Sequence, residues 1–157
     1  MQRRSFLRRT LLSALATFVT GVGHAVAESV GRVWPKRPRG AFSQEALAPT
    51  FDALFGQREI TDSDKIRVLA AELAENGAVV PVKVETDFEI ARSITLIASK
   101  NPVPLVAQFS FSELVKPFVA TRVKLAESSE IIAVIETEDG LYQARRFVEV
   151  TIGGCSA

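Results

Sequence analysis

Apolar side chains recur at every second position through much of the chain after residue 77. In residues 80–85, each valine is followed by a proline, lysine or glutamate. Successive side chains of a β-strand point to opposite faces of its sheet, so this period predicts strands with one buried face. A second run places its apolar residues on one predicted face: Val103, Leu105, Ala107, Phe109 and Phe111. Further strand-like runs cover residues 88–98, 118–125, 130–137 and 141–152.

The connections between these runs indicate how the strands are joined. The centres of the runs lie about ten to fourteen residues apart, and Glu138-Asp139-Gly140 predicts a hairpin turn between the last two. Parallel neighbours need crossover connections of a dozen or more residues, and no long helical segment separates these runs. The sequence therefore predicts an all-β fold, an antiparallel β-sandwich within residues 43–152.

A short helix is predicted before the strands, within residues 43–55. Ser43 is the expected N-cap, and Gly56 follows the apolar Phe51, Leu54 and Phe55 as a stop signal. We expect these apolar side chains to pack onto the domain core. The preceding residues 28–42 include two prolines and several basic side chains, which predicts an exposed leader.

Residues 64–75 carry a different period. Their apolar side chains lie three and four positions apart, and Asn76-Gly77 would end a helix, so local periodicity predicts a helix here. The apolar run is short, however, and tertiary packing can turn such a segment into an edge strand followed by a turn. The periodicity leaves both alternatives open.

Residues 1–27 have the organisation of an export signal. A basic start is followed by an apolar run from Thr10 to about Val22, and the small residues Ala25 and Ala27 suit a signal peptidase. The run of about 13 apolar residues is shorter than the ~20 that span a bilayer as a helix. We expect this segment to be removed, which leaves a mature form without a membrane span.

The basic start contains a more specific signal. Arg3 and Arg4 are adjacent and precede Phe6 and Leu7, as in twin-arginine export signals. This route carries proteins that have already folded. The sequence therefore predicts a bacterial periplasmic protein in an oxidising compartment.

Removal of the signal leaves few groups for catalysis. The signal holds four of the 19 basic side chains and no acid, so the remainder has 15 basic and 18 acidic side chains, a net charge of −3. This charge provides no basic footprint for nucleic acid. The signal also contains His24, the single histidine, so the mature chain alone cannot form a Ser-His-Asp or Cys-His couple or a Cys/His zinc site. We predict a protein with no cofactor and no metal.

The single cysteine lies at the end of a glycine arm. Gly153 and Gly154 follow the last predicted strand and lead to Cys155, within a tail of residues 153–157. Glycine has no Cβ, so we expect a flexible, narrow tail. Extended residues advance ~3.3–3.6 Å each, which places Cys155 about 10 Å beyond the strand. No basic residue occurs among its close neighbours in sequence, so we interpret the thiol as an attachment point, not as a self-activated nucleophile.

Together these features resemble the SoxY family, the sulfur carriers of the periplasmic thiosulfate-oxidising system. The resemblance rests on the twin-arginine signal, a single β-rich domain, the segment Ala74-Glu75-Asn76-Gly77-Ala78-Val79-Val80-Pro81-Val82 and the terminal Gly-Gly-Cys. It implies an immunoglobulin-like sandwich, in which residues 66–70 form a strand despite their helical period. One departure is visible: the usual ending is Gly-Gly-Cys-Gly-Gly, whereas Ser156 and Ala157 follow the cysteine here.

The resemblance also implies partners and a role for Cys155. The partner subunit would be SoxZ, a protein of similar fold that lacks its own signal, giving a heterodimer. A haem-containing enzyme would join thiosulfate to Cys155 through sulfur, a hydrolase would release sulfate, and in complete systems a sulfur dehydrogenase would act on what remains. The carrier itself would not be an enzyme.

Two other functions stay open at this point. An unpaired cysteine in an oxidising compartment also suits a binding or structural module that forms an intermolecular disulfide. A redox enzyme is less well supported, because the chain has no second cysteine to resolve an oxidised intermediate.

Overall fold

A computed structural model of the protein describes residues 39–151. This part of the chain begins with a short 3-10 turn, Ala41–Ser43, and one helix, α1, Leu47–Phe55. Nine strands follow: β1 Ile60–Asp62, β2 Ile66–Ala70, β3 Leu73–Ala74, β4 Val80–Thr86, β5 Ser93–Ala98, β6 Leu105–Ser110, β7 Val119–Val123, β8 Ser129–Glu136 and β9 Leu141–Val150.

The strands form two sheets. The larger has the order β1-β9-β8-β5-β6, with β3 added beside β9, and the smaller has the order β2-β4-β7. The long strands pair antiparallel, and β8 and β9 are joined by the predicted hairpin, with Glu136 opposite Leu141. The predicted antiparallel sandwich is therefore confirmed. Two short strands depart from it, because β1 and β3 both pair with β9 in parallel.

The main core lies between the sheets. On the small sheet, the alternating Val80, Val82 and Val84 of β4 point inward, as their period predicts. On the large sheet, strands β5 and β8 are buried on both faces. Their second face is covered by α1, so Ile97, Ile132 and Val134 pack with Phe55 in a separate outer cluster. The helix makes the large sheet a middle layer.

The helix begins later than predicted. Ser43 is not its N-cap: α1 starts after Ala46, whose side chain makes no capping hydrogen bond. Pro49 lies in the first turn, where its missing N–H leaves no helical bond unmade, so proline fits this start. Gly56 ends the helix with a φ of 62°, as expected of a C-terminal glycine. The aromatic side chains Phe51 and Phe55 pack into the outer cluster, which confirms their predicted role.

The exposed leader ends earlier than expected. Ala41 falls within residues 28–42 but is only 1% exposed and belongs to the outer cluster. The 3-10 turn directs its methyl group into the apolar space beside α1. Residues 39 and 40 are exposed; the rest of the predicted leader lies outside the described residues.

Residues 66–70 form strand β2, so the expectation from resemblance is correct and the helix predicted from local periodicity is wrong. Ile66 and Val68 point into the core, whereas Arg67 and Leu69 are exposed. Pairing with β4 extends to Ala70 opposite Val82 and stops one residue before Pro81, which has no N–H for a further ladder bond. The burial obtained between the sheets overrides the helical spacing.

Strand β6 corrects another prediction. Its apolar residues do not share one face: Leu105 belongs to the outer cluster, whereas Phe109 and Phe111 pack against the main core. The cause is an irregularity in the pairing of β5 with β6 between Leu96 and Ile97. An extra residue in one strand turns every side chain beyond it to the opposite face of the sheet. Val103 precedes the strand and is 38% exposed.

Candidate functional site

The candidate site is the end of β9, where the predicted carrier arm leaves the sandwich. The strand ends at Val150, and Thr151 is exposed. The site residues predicted beyond it, Gly153, Gly154 and Cys155, lie outside the described residues. So do the predicted export residues Arg3, Arg4, Phe6, Leu7, Ala25 and Ala27. The structure therefore describes the base of the arm.

The end of β9 is held on both sides. On one side, the Glu149 N–H donates to the carbonyl oxygen of Glu72 at 2.8 Å, and the Thr151 N–H donates to that of Ala74 at 3.1 Å. On the other side, the Val150 N–H donates to the hydroxyl of Ser128 at 2.9 Å. Each bond immobilises backbone next to the arm. The arm therefore begins at a fixed point.

Gly77 brings a neighbouring loop against this fixed point. A Cβ at this position would lie 2.5 Å from the carbonyl oxygen of Leu125 and 2.9 Å from Cγ1 of Val150. The Leu125 N–H donates to the carbonyl oxygen of Gly77 at 2.7 Å. Only glycine allows this approach. A pocket of about 400 Å³ lies beside it and is lined in part by Thr151.

Two asparagines fix the loops around the pocket. Oδ1 of Asn76 accepts a hydrogen bond from the Ala78 N–H at 2.8 Å, which forms a turn before β4. Asn101 bridges to the loop after β7: its side-chain amide donates to the carbonyl oxygen of Lys124 at 2.7 Å, and its Oδ1 accepts from the Ala126 N–H at 2.9 Å. The arm thus leaves from a surface whose loops are cross-bonded.

Charged pairs also surround β9. Arg146 contacts Glu72 at 3.0 Å, and Arg145 lies 3.9 Å from Glu130 on β8. These pairs are largely exposed, so each contributes little to stability. A stronger arrangement lies at the other end of the sandwich, where hydrogen bonds from the Arg67 guanidinium lower the pKa of the Asp87 carboxyl.

Two kinds of feature are missing from the described residues. Within residues 39–151, no group of three or more His, Cys, Asp or Glu side chains is placed to hold a metal ion. No helix in the same range is long and apolar enough to cross a membrane.

The sequence predicts the arm but not the residues that fix its base. Asn76-Gly77 is a turn signal, but the local periodicity before it also suits a helix end. Ser128 and Asn101 carry no signal of their own, because single polar residues in loops are common. Their partners lie more than 20 residues away in sequence.

Comparisons with known proteins bear on the family and the fold of this chain. Residues 51–155 match the sequence model of a family described as "Sulfur oxidation protein SoxY". The sulfur carrier protein SoxY from Chlorobium limicola f thiosulfatophilum is 37% identical, with a TM-score of 0.61 over 67% of this chain and 96% of its own. A search of curated proteins found no match.

A second solved structure shares the fold alone. The superoxide reductase (neelaredoxin) from Ignicoccus hospitalis is 19% identical, with a TM-score of 0.53 over 59% of this chain and 95% of its own. At that sequence identity, the likeness shows only that the two proteins share the immunoglobulin-like sandwich fold. The family match, in contrast, covers most of the sandwich and extends to Cys155. The chain therefore belongs to the SoxY family of sulfur-carrier proteins.

Proposed function

We propose that this protein carries thiosulfate-derived sulfur covalently on Cys155 and presents it to partner enzymes in the periplasm. The observation that carries the proposal is family membership over a range that includes Gly153, Gly154 and Cys155. The fixed end of β9 supports it, because an arm that starts at a defined point delivers its thiol within a defined radius. Cys155 is the fourth residue after Thr151, so that radius is about 14 Å.

The attachment step balances as an oxidation. The thiol sulfur of Cys155 bonds to the terminal sulfur of thiosulfate, one proton leaves, and two electrons pass to a haem-containing conjugating enzyme. Hydrolysis then adds water to the terminal sulfonate, releases sulfate and two protons, and leaves a persulfide on Cys155. The carrier supplies the sulfur atom that is bonded and the reach between enzymes. A sulfur dehydrogenase acts on the persulfide in complete systems.

The proposal includes a SoxZ-like β-sandwich subunit as partner and export by the twin-arginine route. Family membership supports the subunit, and Arg3-Arg4 with Phe6-Leu7 supports the route. A folded carrier could then be exported together with a subunit that has no signal of its own. In this proposal the protein is a substrate of enzymes and not itself an enzyme.

Intact-mass measurement of protein from thiosulfate-fed cells tests the proposal. We expect sulfur-containing adducts that map to Cys155, are released by reductant and are missing from Cys155→Ser. Replacement of Gly153 and Gly154 by valine is a second test variant: it keeps the thiol but restricts the backbone of the arm, so it should slow loading. If the wild-type protein carries only free thiol or a protein–protein disulfide under these conditions, the carrier function is wrong. A disulfide as the main native form would favour the structural module instead.

A further inference from the structure

The outward face of the small sheet carries apolar side chains although it is exposed. The register of β2, β4 and β7 places Leu69 opposite Lys83, Lys83 opposite Ala120, and Pro81 opposite Arg122. These five residues, which we call the arm-side face, are all exposed. The apolar Leu69 is 44% exposed. They line a depression of about 900 Å³. A mid-strand leucine over a floor of alanine and proline is a surface suited to burial against another protein.

The arm-side face lies next to the base of the arm. Ala71 lines the same depression, and it directly precedes Glu72, whose carbonyl oxygen accepts the hydrogen bond from Glu149 on β9. Only one residue, Val150, separates Glu149 from Thr151. An enzyme that holds Cys155 in its active site must approach the sandwich within about 14 Å of Thr151, the length of the extended arm. Ala71 lies only three residues before Ala74, whose carbonyl oxygen accepts the hydrogen bond from the Thr151 N–H, so the depression reaches the base of the arm.

The charge of the face indicates the chemistry of what binds there. Arg122 forms no ion pair with any residue of the described range, and Lys83 has only an exposed contact with Glu85 at 3.8 Å. Two cations therefore flank an apolar centre, on a protein whose net charge is −3 once residues 1–27 are removed. Complementary potentials speed encounter and select partners. The matching surface should carry carboxylates around an apolar side chain.

We propose that the arm-side face is a docking surface for the enzyme that loads Cys155, and that this enzyme presents an acidic, apolar-centred patch to it. The inference rests on the proposed carrier function and adds the place where the loading enzyme binds. Docking at this face would hold the fixed start of the arm near an active site, so that Cys155 needs to search only a small volume. Binding through the body also raises the effective concentration of the thiol.

The test compares charge and polarity reversals at the two ends of the sandwich. The test variant combines Leu69→Asp with Arg122→Glu. The control combines Ile90→Asp with Arg92→Glu near the start of β5, because Ile90 is 47% exposed and Arg92 is an exposed arginine with only an exposed contact to Glu138 at 3.6 Å. Each protein is purified with whatever subunit accompanies it. We then measure the thiosulfate-dependent mass increase at Cys155 produced by the purified haem-containing conjugating enzyme.

We expect kcat/KM for loading to fall about tenfold or more in the test variant and to stay within about twofold of wild type in the control. Arg122→Lys should retain most of the wild-type rate. Added salt should slow wild-type loading more than that of the test variant. Reaction of Cys155 with a small chromogenic disulfide, thermal unfolding and copurification of the accompanying subunit should be the same in all three proteins.

Two results would overturn the inference while leaving the carrier function intact. One is equal loading of wild type and test variant. The other is loss of the accompanying subunit from the test variant, which would assign the arm-side face to that permanent partner. A wild-type protein that the enzyme cannot load at all would instead contradict the carrier function.

Discussion

Replacement of Gly77 by alanine should destabilise the sandwich at the base of the arm. The new methyl group would lie 2.5 Å from a backbone oxygen, that of Leu125, which cannot rotate away. Relief requires a shift of the loop and weakens the 2.7 Å hydrogen bond between Leu125 and Gly77. Overpacking of this kind costs about 1–3 kcal/mol. For a domain of this size, that cost lowers Tm by roughly 3–15 °C.

The measurement is thermal unfolding followed by far-UV circular dichroism, with reductant present so that Cys155 forms no disulfide. Gly40→Ala is the matched control: nothing lies within 4 Å of its added Cβ, and its φ of −63° suits alanine. The control should be unchanged or slightly stabilised, since alanine restricts the unfolded chain. Equal Tm values for Gly77→Ala and wild type would refute the argument that close approach requires glycine at this position.

Three further predictions address stability and export. Asp87→Asn should destabilise the protein at pH values above about 3.8, the pKa of this carboxyl in the unfolded chain. The difference in free energy of unfolding from wild type should vanish as the pH falls through the lowered pKa of Asp87 in the folded protein. Urea unfolding at several pH values measures this difference, and a value that does not change with pH would contradict the prediction. Leu96→Ala, at a fully buried position of β5, should lower the free energy of unfolding in urea by about 2–5 kcal/mol. The same change at the exposed Leu114 should lower it by less than ~1 kcal/mol. Similar losses of stability in the two variants would argue against the described core. Replacement of Arg3 and Arg4 together by lysine should leave the precursor in the cytoplasm on fractionation, and normal periplasmic accumulation would indicate an ordinary secretory signal.

Alternation predicted the strands that bury one face, and a continuous apolar run predicted β8, which is buried on both faces. Strand β4 follows its alternating valines, and β7, β8 and β9 agree with their predicted runs to within one or two residues at each end. The run at residues 88–98 was predicted too long, since the strand covers only Ser93–Ala98. Phe88 instead packs against Tyr142 from a turn, with ring centroids 4.9 Å apart.

The remaining features depend on contacts between distant residues. Strands β1 and β3 are three and two residues long, too short for a period, and each exists through its pairing with β9. The face to which each side chain of β6 points depends on one irregularity in its pairing with β5. At the site, the Gly-Gly-Cys tail was recognisable because its residues are adjacent in sequence. The bonds that fix its base join positions up to 77 residues apart, between Glu72 and Glu149 or Ala74 and Thr151.

The placement of β1 and β3 on the same edge of β9 has a mechanical consequence. In the proposed function, an enzyme that pulls on Cys155 would load β9 along its own axis. The antiparallel ladder to β8 runs perpendicular to that force and the short parallel ladders to β1 and β3 are slanted, so their hydrogen bonds would be loaded mainly in shear and would share the load. A tensile load of this kind is far better resisted than peeling, which breaks one bond at a time. The strand can act as an anchor against which the arm is stretched repeatedly while the sandwich keeps its shape.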